Sequence, residues 1–431
     1  MTTPDDPSPA DKYHVPQWLG DRATRRFHVM AKPAGSACNL DCRYCFYLSK
    51  EKLKGGPGPG HMRDDVLETF VRDYVASVTG DEVVFSWQGG EPTLMGVEFF
   101  EKVVAFEKRY AKPGQRISND LQTNGTLLDD DWGRFLKRHN FLVGLSVDGP
   151  KDVHDAMRPT KRDQPSFDDV MRGWEVLKRH GVPINTLTCV HRFNASRPLD
   201  VYRFLRRELG STYLQFIPIV EPRDFESAAP QARDLSLLPI VGTPEAKPSH
   251  PDSVVTPWSV DPEEYGYFLS KIWDEWLSRD LGKAYVTHCE TLVVQRMGMP
   301  AQTCVHAETC GKGVAIEHDG GVYSCDHYVY PEYRLGSIRE RSLGDMVFSP
   351  EQVKFGYAKS ETLPKFCREC TYLTDCRGEC PKNRLLRTPD GEPGLNYLCR
   401  GFKRFFAHAR RDADRMASEL LASGVVGKPR M

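Results

Sequence analysis

Residues 38–47 read Cys38-Asn39-Leu40-Asp41-Cys42-Arg43-Tyr44-Cys45-Phe46-Tyr47, and this stretch decides the fold. It sets three thiols at spacings of four and three residues, directly after an apolar run over 26–32, RFHVMAK, with the pattern of a strand. Three thiolates in one short loop converge on one face of an iron–sulfur cube and leave one iron open to a small molecule. A zinc site asks for four ligands, or three and a water, at commoner spacings.

Working outward, further strands are expected over 82–88, 117–122, 141–147, 184–190 and 213–219. Helical periodicity fills 64–78, 96–110, 129–138, 166–180 and 198–209, with Gly, Pro and Asn turns between. Six strands alternating with helices predict parallel βα units in a sheet or barrel. Chemistry then gathers at the C-terminal strand ends. Three motifs sit there: Gly89-Gly90-Glu91-Pro92 after the second strand, Gln122-Thr-Asn-Gly-Thr126 after the third, and Ser146-Val-Asp-Gly-Pro150 after the fourth, followed by His154 and Arg158. Singly, each also reads as an ordinary turn or a solvated charge.

The chain has 431 residues, with 58 Lys plus Arg against 59 Asp plus Glu, so it lacks the global field of a nucleic-acid binder or a polybasic membrane binder. No window approaches the ~20 apolar residues that span a bilayer. The polar, Pro-rich start carries no secretory h-region, and the cytoplasm is the expected location. Thirteen cysteines in a reducing compartment point to metal or iron–sulfur ligation, not disulfides. Eight of them lie between 304 and 399: Cys304, Cys310, Cys325, Cys367, Cys370, Cys376, Cys380 and Cys399. That number makes two four-thiolate sites, with zinc ribbons as the bland alternative. Cys189 and Cys289 are left over and read as ordinary packing residues. His191, His318 and His327 read the same way.

The CxxxCxxC loop with its Phe46–Tyr47 pair resembles that of the radical S-adenosylmethionine (SAM) enzymes. The resemblance implies an α/β fold, a partial (β/α)6 barrel, in which Cys38, Cys42 and Cys45 hold a [4Fe–4S] cluster that binds and cleaves SAM. It further implies SAM contacts from Tyr47, Gly90, Ser146, Arg158 and an apolar residue after strand six, Val220. The C-terminal cysteines resemble the SPASM extension, which carries two auxiliary clusters. By that resemblance Cys304, Cys310, Cys325 and Cys380 hold one, and Cys367, Cys370, Cys376 and Cys399 the other, for three [4Fe–4S] clusters in all. The implied organisation is a flexible leader over 1–24, the barrel over 25–221, a linker loop and helix over 222–303, the SPASM domain over 304–400, and a C-terminal helix and tail over 401–431.

Within that superfamily, WQGGEPTL, LQTNGTLLDD, FLVGLSVDGP, QFIPIVEP and CGKGVAIEHDGGVYSCDHYVYPEYRLGSI are similar to anaerobic sulfatase-maturating enzymes over about 26–410. The resemblance implies oxidation of a Cys or Ser in a sulfatase to Cα-formylglycine, with Asp326 as the catalytic proton acceptor. The implied partners are an unfolded sulfatase polypeptide and an electron donor such as flavodoxin or ferredoxin, without nucleic acid or membrane. Two competing readings are a SPASM enzyme that crosslinks a ribosomally made peptide and a non-catalytic zinc protein. The former commonly needs a peptide-recognition domain before the barrel. The latter leaves three motifs at consecutive strand ends unexplained.

Overall fold

Strand β1 (His28–Lys32) opens a parallel series with β2 (Glu82–Trp87), β3 (Arg116–Thr123), β4 (Leu142–Ser146), β5 (Ile184–Val190) and β6 (Tyr213–Pro218). Each pairs with the next in sequence order, the arrangement of a (β/α)6 partial barrel. The molecule is seen in a computed structural model that describes residues 13, 25–48, 50, 53 and 60–424. The expected leader over 1–24 lies, apart from Tyr13, outside the described residues.

Helices cross between the strands: α1 (Asp64–Ser77), α2 (Val97–Tyr110), α3 (Asp130–Arg138), α4 (Lys151–Met157), α5 (Phe167–His180) and α6 (Pro198–Arg203), which continues as a π-helical turn over Phe204–Glu208. Their apolar stripes explain them. On α1, Val66, Leu67, Phe70, Val71, Tyr74 and Val75 are all buried. Phe70 meets Phe85 and Trp87 edge-on, with centroids 5.5 and 5.9 Å away. Each such fully buried ring contributes about 1.5–3 kcal/mol relative to exposure. Asp129 caps α3 by accepting from the Trp132 amide at 3.0 Å.

After β6 the chain forms an irregular strap over 219–260 that is pinned to the barrel. Val260 N donates to Ile219 O at 2.9 Å and Thr256 N to Glu221 O at 2.8 Å. Helix α7 (Pro262–Glu275) then sets Phe268 against Phe216 of β6, 5.3 Å between centroids. Further on lie β7 (Tyr285–Val286) beside β6, α8 (Thr287–Arg296), β8 (Gly313–Glu317), β9 (Gly321–Tyr323), β10 (Arg334–Ser337), α9 (Pro350–Glu361) and α10 (Cys399–Ser423).

The cysteine-rich region does not carry a separate main sheet. Strand β8 runs parallel to β1, from His28 opposite Gly313 to Lys32 opposite Glu317, and β9 and β10 follow antiparallel. One ten-stranded sheet results, in the order β10-β9-β8-β1-β2-β3-β4-β5-β6-β7. The β1 edge would otherwise present unpaired backbone groups, and β8 satisfies them. This ladder sets the C-terminal cysteines and Asp326 beside the barrel mouth.

Candidate active site

The loop from β1 to α1 holds Cys38, Cys42 and Cys45, all partly buried. It is strapped down at Asp41 N→Pro159 O (2.8 Å) and Arg43 N→Met157 O (3.0 Å). Leu40 N approaches Cys38 Sγ at 3.4 Å, and Asn124 Nδ2 approaches it at 3.8 Å. Burial pushes the Cys38 thiol up to about 12, with Glu91 and Cys45 adding to the rise. Burial also raises Cys42 and Cys45, and the Cys38 and Cys45 charges lift Cys42 further. Three thiols that resist ionising together suit a site whose missing charge is metal, because the thiolate is the ligand form.

The second motif folds onto this loop. Gly90 N donates to Gly35 O at 2.9 Å and Glu91 N to Ala37 O at 2.8 Å. A Cβ at Gly90 would run into the Ala37 carbonyl oxygen, so only glycine allows the approach. The buried Glu91 carboxylate accepts from Thr93 N (3.0 Å), Thr123 Oγ1 (2.7 Å) and Asn124 N (2.8 Å), which ties the second motif to the third.

The fourth motif is organised by a residue that sequence reasoning did not single out. Asp148 is wholly buried and accepts from Arg158 Nε (2.9 Å) and Nη2 (3.1 Å), Tyr44 Oη (2.6 Å) and Cys189 N (3.0 Å). Burial would raise its carboxyl, but the Arg158 guanidinium outweighs that and holds it at about 2. Arg158 is therefore a buried ion-pair partner at the loop and not a solvated helix charge. Its Nη2 also lies 3.7 Å from Cys189 Sγ, so this leftover cysteine stands at the site as well. Ser146 Oγ accepts from Gln122 Nε2 at 2.9 Å.

Val220 needs correction. Its side chain turns into the core with Phe216, Val260 and Tyr265, while Ile219 packs with Tyr44 and Met157 beside Cys42, Cys189 and Trp258. Neighbours in extended chain face opposite sides, and the resemblance that pointed to Val220 does not fix that parity. Tyr47 is buried against Ala315, Tyr323 and Val329, with its hydroxyl on Glu317 of β8.

Asp326 starts a one-turn helix, Asp326–Tyr328, right after Cys325, and its carboxylate forms an ion pair with Lys32 at the end of β1. Burial acts to raise it, but Lys32 and then His327 prevail and hold it below the usual carboxylate range. The remaining cysteines fall into two groups. Cys325 is raised by burial, then by Cys380 and Cys304, and Cys310 is pushed up to about 11 by burial with Cys304 contributing. Lys359 donates to the carbonyls of Cys304 (2.5 Å) and Val305 (2.8 Å), bracing that loop. In the other group Cys367, Cys370, Cys376 and Cys399 all line one apolar pocket, together with Phe366, Phe402 and Phe406. Lys32 and Lys359 carried no sequence signal beyond their proximity to motifs, while Tyr44 and Asp148 lie inside motifs without being singled out.

Comparison with known proteins agrees with this geometry. Residues 33–205 match the Radical SAM superfamily and 304–371 the SPASM iron–sulfur cluster-binding domain. The class is thus a radical SAM oxidoreductase with [4Fe–4S] clusters and SAM as cofactors. The chain is 43% identical to the serine-type anaerobic sulfatase-maturating enzyme of Bacteroides thetaiotaomicron, over 91% of this chain and 92% of that protein. It is 32% identical to the cysteine-type enzyme of Clostridium novyi, over 88% and 94%. The solved structure of native anSMEcpe with bound AdoMet and Cp18Cys peptide superimposes with a TM-score of 0.76 at 32% identity, covering 91% of this chain and 99% of that one. The chain belongs to the anaerobic sulfatase-maturating enzyme family. No helix among the described residues is long and apolar enough to cross a membrane.

Proposed function

We propose that the protein oxidises a Cys or Ser in the active-site motif of an unfolded sulfatase to Cα-formylglycine without oxygen, in the cytoplasm, with serine preferred. The single observation that carries this is the Asp326 carboxylate, bound through Lys32 to the strand that leads into the cysteine loop. The serine preference rests on the higher identity to the serine-type relative, 43% against 32%. Cys38, Cys42 and Cys45 would hold the SAM-binding cluster. The two C-terminal groups, Cys304/Cys310/Cys325/Cys380 and Cys367/Cys370/Cys376/Cys399, would hold the auxiliary clusters. The Gly90 backbone, Ser146 and Arg158 would orient SAM, with Tyr47 and Ile219 (in place of Val220) as its apolar contacts. Residues 25–221 would form the SAM-cleaving unit and 304–400 the auxiliary-cluster unit, joined through 222–303.

When bound, SAM and its cluster supply the one-electron chemistry that removes a hydrogen atom from the target's Cβ. Asp326 then accepts the hydroxyl or thiol proton, and the electron that leaves the substrate would pass to an auxiliary cluster held by the C-terminal cysteines. Hydrogen atom, proton and electron together balance CH2OH to CHO. For cysteine, the CHS product takes up water and releases hydrogen sulfide to reach the same aldehyde. Buried Asp148 fixes Arg158, so the SAM-side guanidinium is preorganised before binding. A small one-electron carrier of the flavodoxin or ferredoxin kind would supply the reducing electron.

Cluster-reconstituted protein, SAM, reductant and paired peptides with Ser or Cys at the target test this by mass spectrometry. Aldehyde on both peptides, more on the Ser peptide, and none with Asp326→Asn is the expected result. Deoxyadenosine without aldehyde on either peptide would overturn the sulfatase assignment.

A further inference from the structure

Lys32 sits where a lysine is expensive. Its side chain is 2% exposed at the end of β1, and a buried ammonium is tolerated only when paired. The partner is Asp326, from the opposite, cysteine-rich side of the site. The rest of the lysine is caged. Its ammonium lies 4.8 Å from the centre of the Tyr47 ring, within cation–π range. Its stem passes Gly89, whose φ is +129° and where a Cβ would stand 3.1 Å from Lys32 Cδ. Tyr47 is in turn anchored on Glu317, the residue opposite Lys32 in the β1–β8 ladder. Three separated pieces of sequence thus fix one ammonium, and that ammonium holds one carboxylate.

We propose that Lys32 is a positioning residue for the proton acceptor. It sets where the Asp326 carboxylate stands against the target side chain, and it carries the geometry of the barrel across to the cysteine-rich side. The inference rests on the reading of Asp326 as the base. An aspartate at the start of a single helical turn has several rotamers available, and an ion pair from a caged lysine selects one of them. Proton transfer needs heavy atoms within about 2.6–3.2 Å, so an unselected rotamer uncouples hydrogen abstraction from proton removal. Hydrogen abstraction itself does not involve Lys32. Its loss therefore changes how much aldehyde is formed per SAM consumed, which a merely structural lysine would not do.

The test uses full-length, cluster-loaded protein with Lys32→Met, Lys32→Arg, Asp326→Asn and the Lys32→Met/Asp326→Asn double variant. It reads iron content, SAM dissociation constant, deoxyadenosine and peptide aldehyde. Lys32→Met is expected to keep iron and SAM affinity within about twofold and still form deoxyadenosine, while aldehyde per deoxyadenosine falls by about 100-fold, the low end of a general-base contribution. Lys32→Arg should lose several-fold and no more, and the double variant should match Asp326→Asn in iron content, SAM affinity and deoxyadenosine, because Lys32 acts through that residue. A wild-type ratio in Lys32→Met overturns the proposal. So does a fall in iron, SAM affinity, deoxyadenosine and aldehyde in step. If Lys32→Met does not fold, a wild-type ratio in Lys32→Arg overturns it. Aldehyde from Asp326→Asn would instead sink the base assignment, a separate failure.

Discussion

Asp148, inside the motif after β4, organises the charges beneath the cysteine loop. It sits wholly buried beneath the cysteine loop, and it binds Arg158 through two hydrogen bonds and Tyr44 through a third. Breaking a buried pair at one partner costs about 3–5 kcal/mol, because the other charge stays buried and unpaired. Asp148→Asn is therefore expected to lower stability by that order in denaturant titration and to weaken SAM binding by at least tenfold in equilibrium dialysis. Unchanged SAM affinity would show that Arg158 keeps its place without its carboxylate. Arg158 itself was singled out through the family resemblance of its motif. Its burial and its partner were not, since both depend on how the turn after β4 closes over α4.

Among the elements, the six parallel strands announced themselves through short apolar runs bounded by turns, and helices α1, α2, α3 and α5 through period-3.6 stripes. Strand β8 did not. Its five residues, GVAIE, are too short a run to assign by periodicity. Yet β8 joins the two halves of the chain, with Val314, Ala315 and Ile316 fully buried between β1 and β9. Ile316→Ala is expected to cost about 2–5 kcal/mol. Because β8 belongs to the barrel's own sheet, thermal unfolding should stay one cooperative transition at a lower midpoint. Two separated transitions would show that the C-terminal region melts on its own.

For the molecule as a whole, pH should act through buried histidines. Burial holds His154 down to about 3, and His191 and His288 down to about 4, against an ordinary value near 6.5. These groups stay neutral when folded, while the unfolded chain takes up their protons as pH falls below about 6.5. Stability should therefore be undiminished above that value and decline steadily from about pH 6.5 towards 4. Asp148 adds its own loss only below its ordinary value of 3.8, as pH approaches 2. Melting midpoints that are flat from pH 7.5 to 5 would contradict this account.

The class of chemistry is written in short stretches of sequence. Thiol spacing and strand-end motifs are local properties, and a loop of ten residues keeps its three thiols within reach of one another. The rest depends on contacts between distant parts of the chain. The β1–β8 pairing joins residues almost three hundred positions apart, and with it come Lys32 against Asp326 and Tyr47 against Glu317. The pleat turned Ile219, not Val220, toward the loop. Such partners share no sequence neighbourhood. They are chosen by which edges need backbone partners and which buried charges need counter-charges, and those needs arise only once the chain has closed.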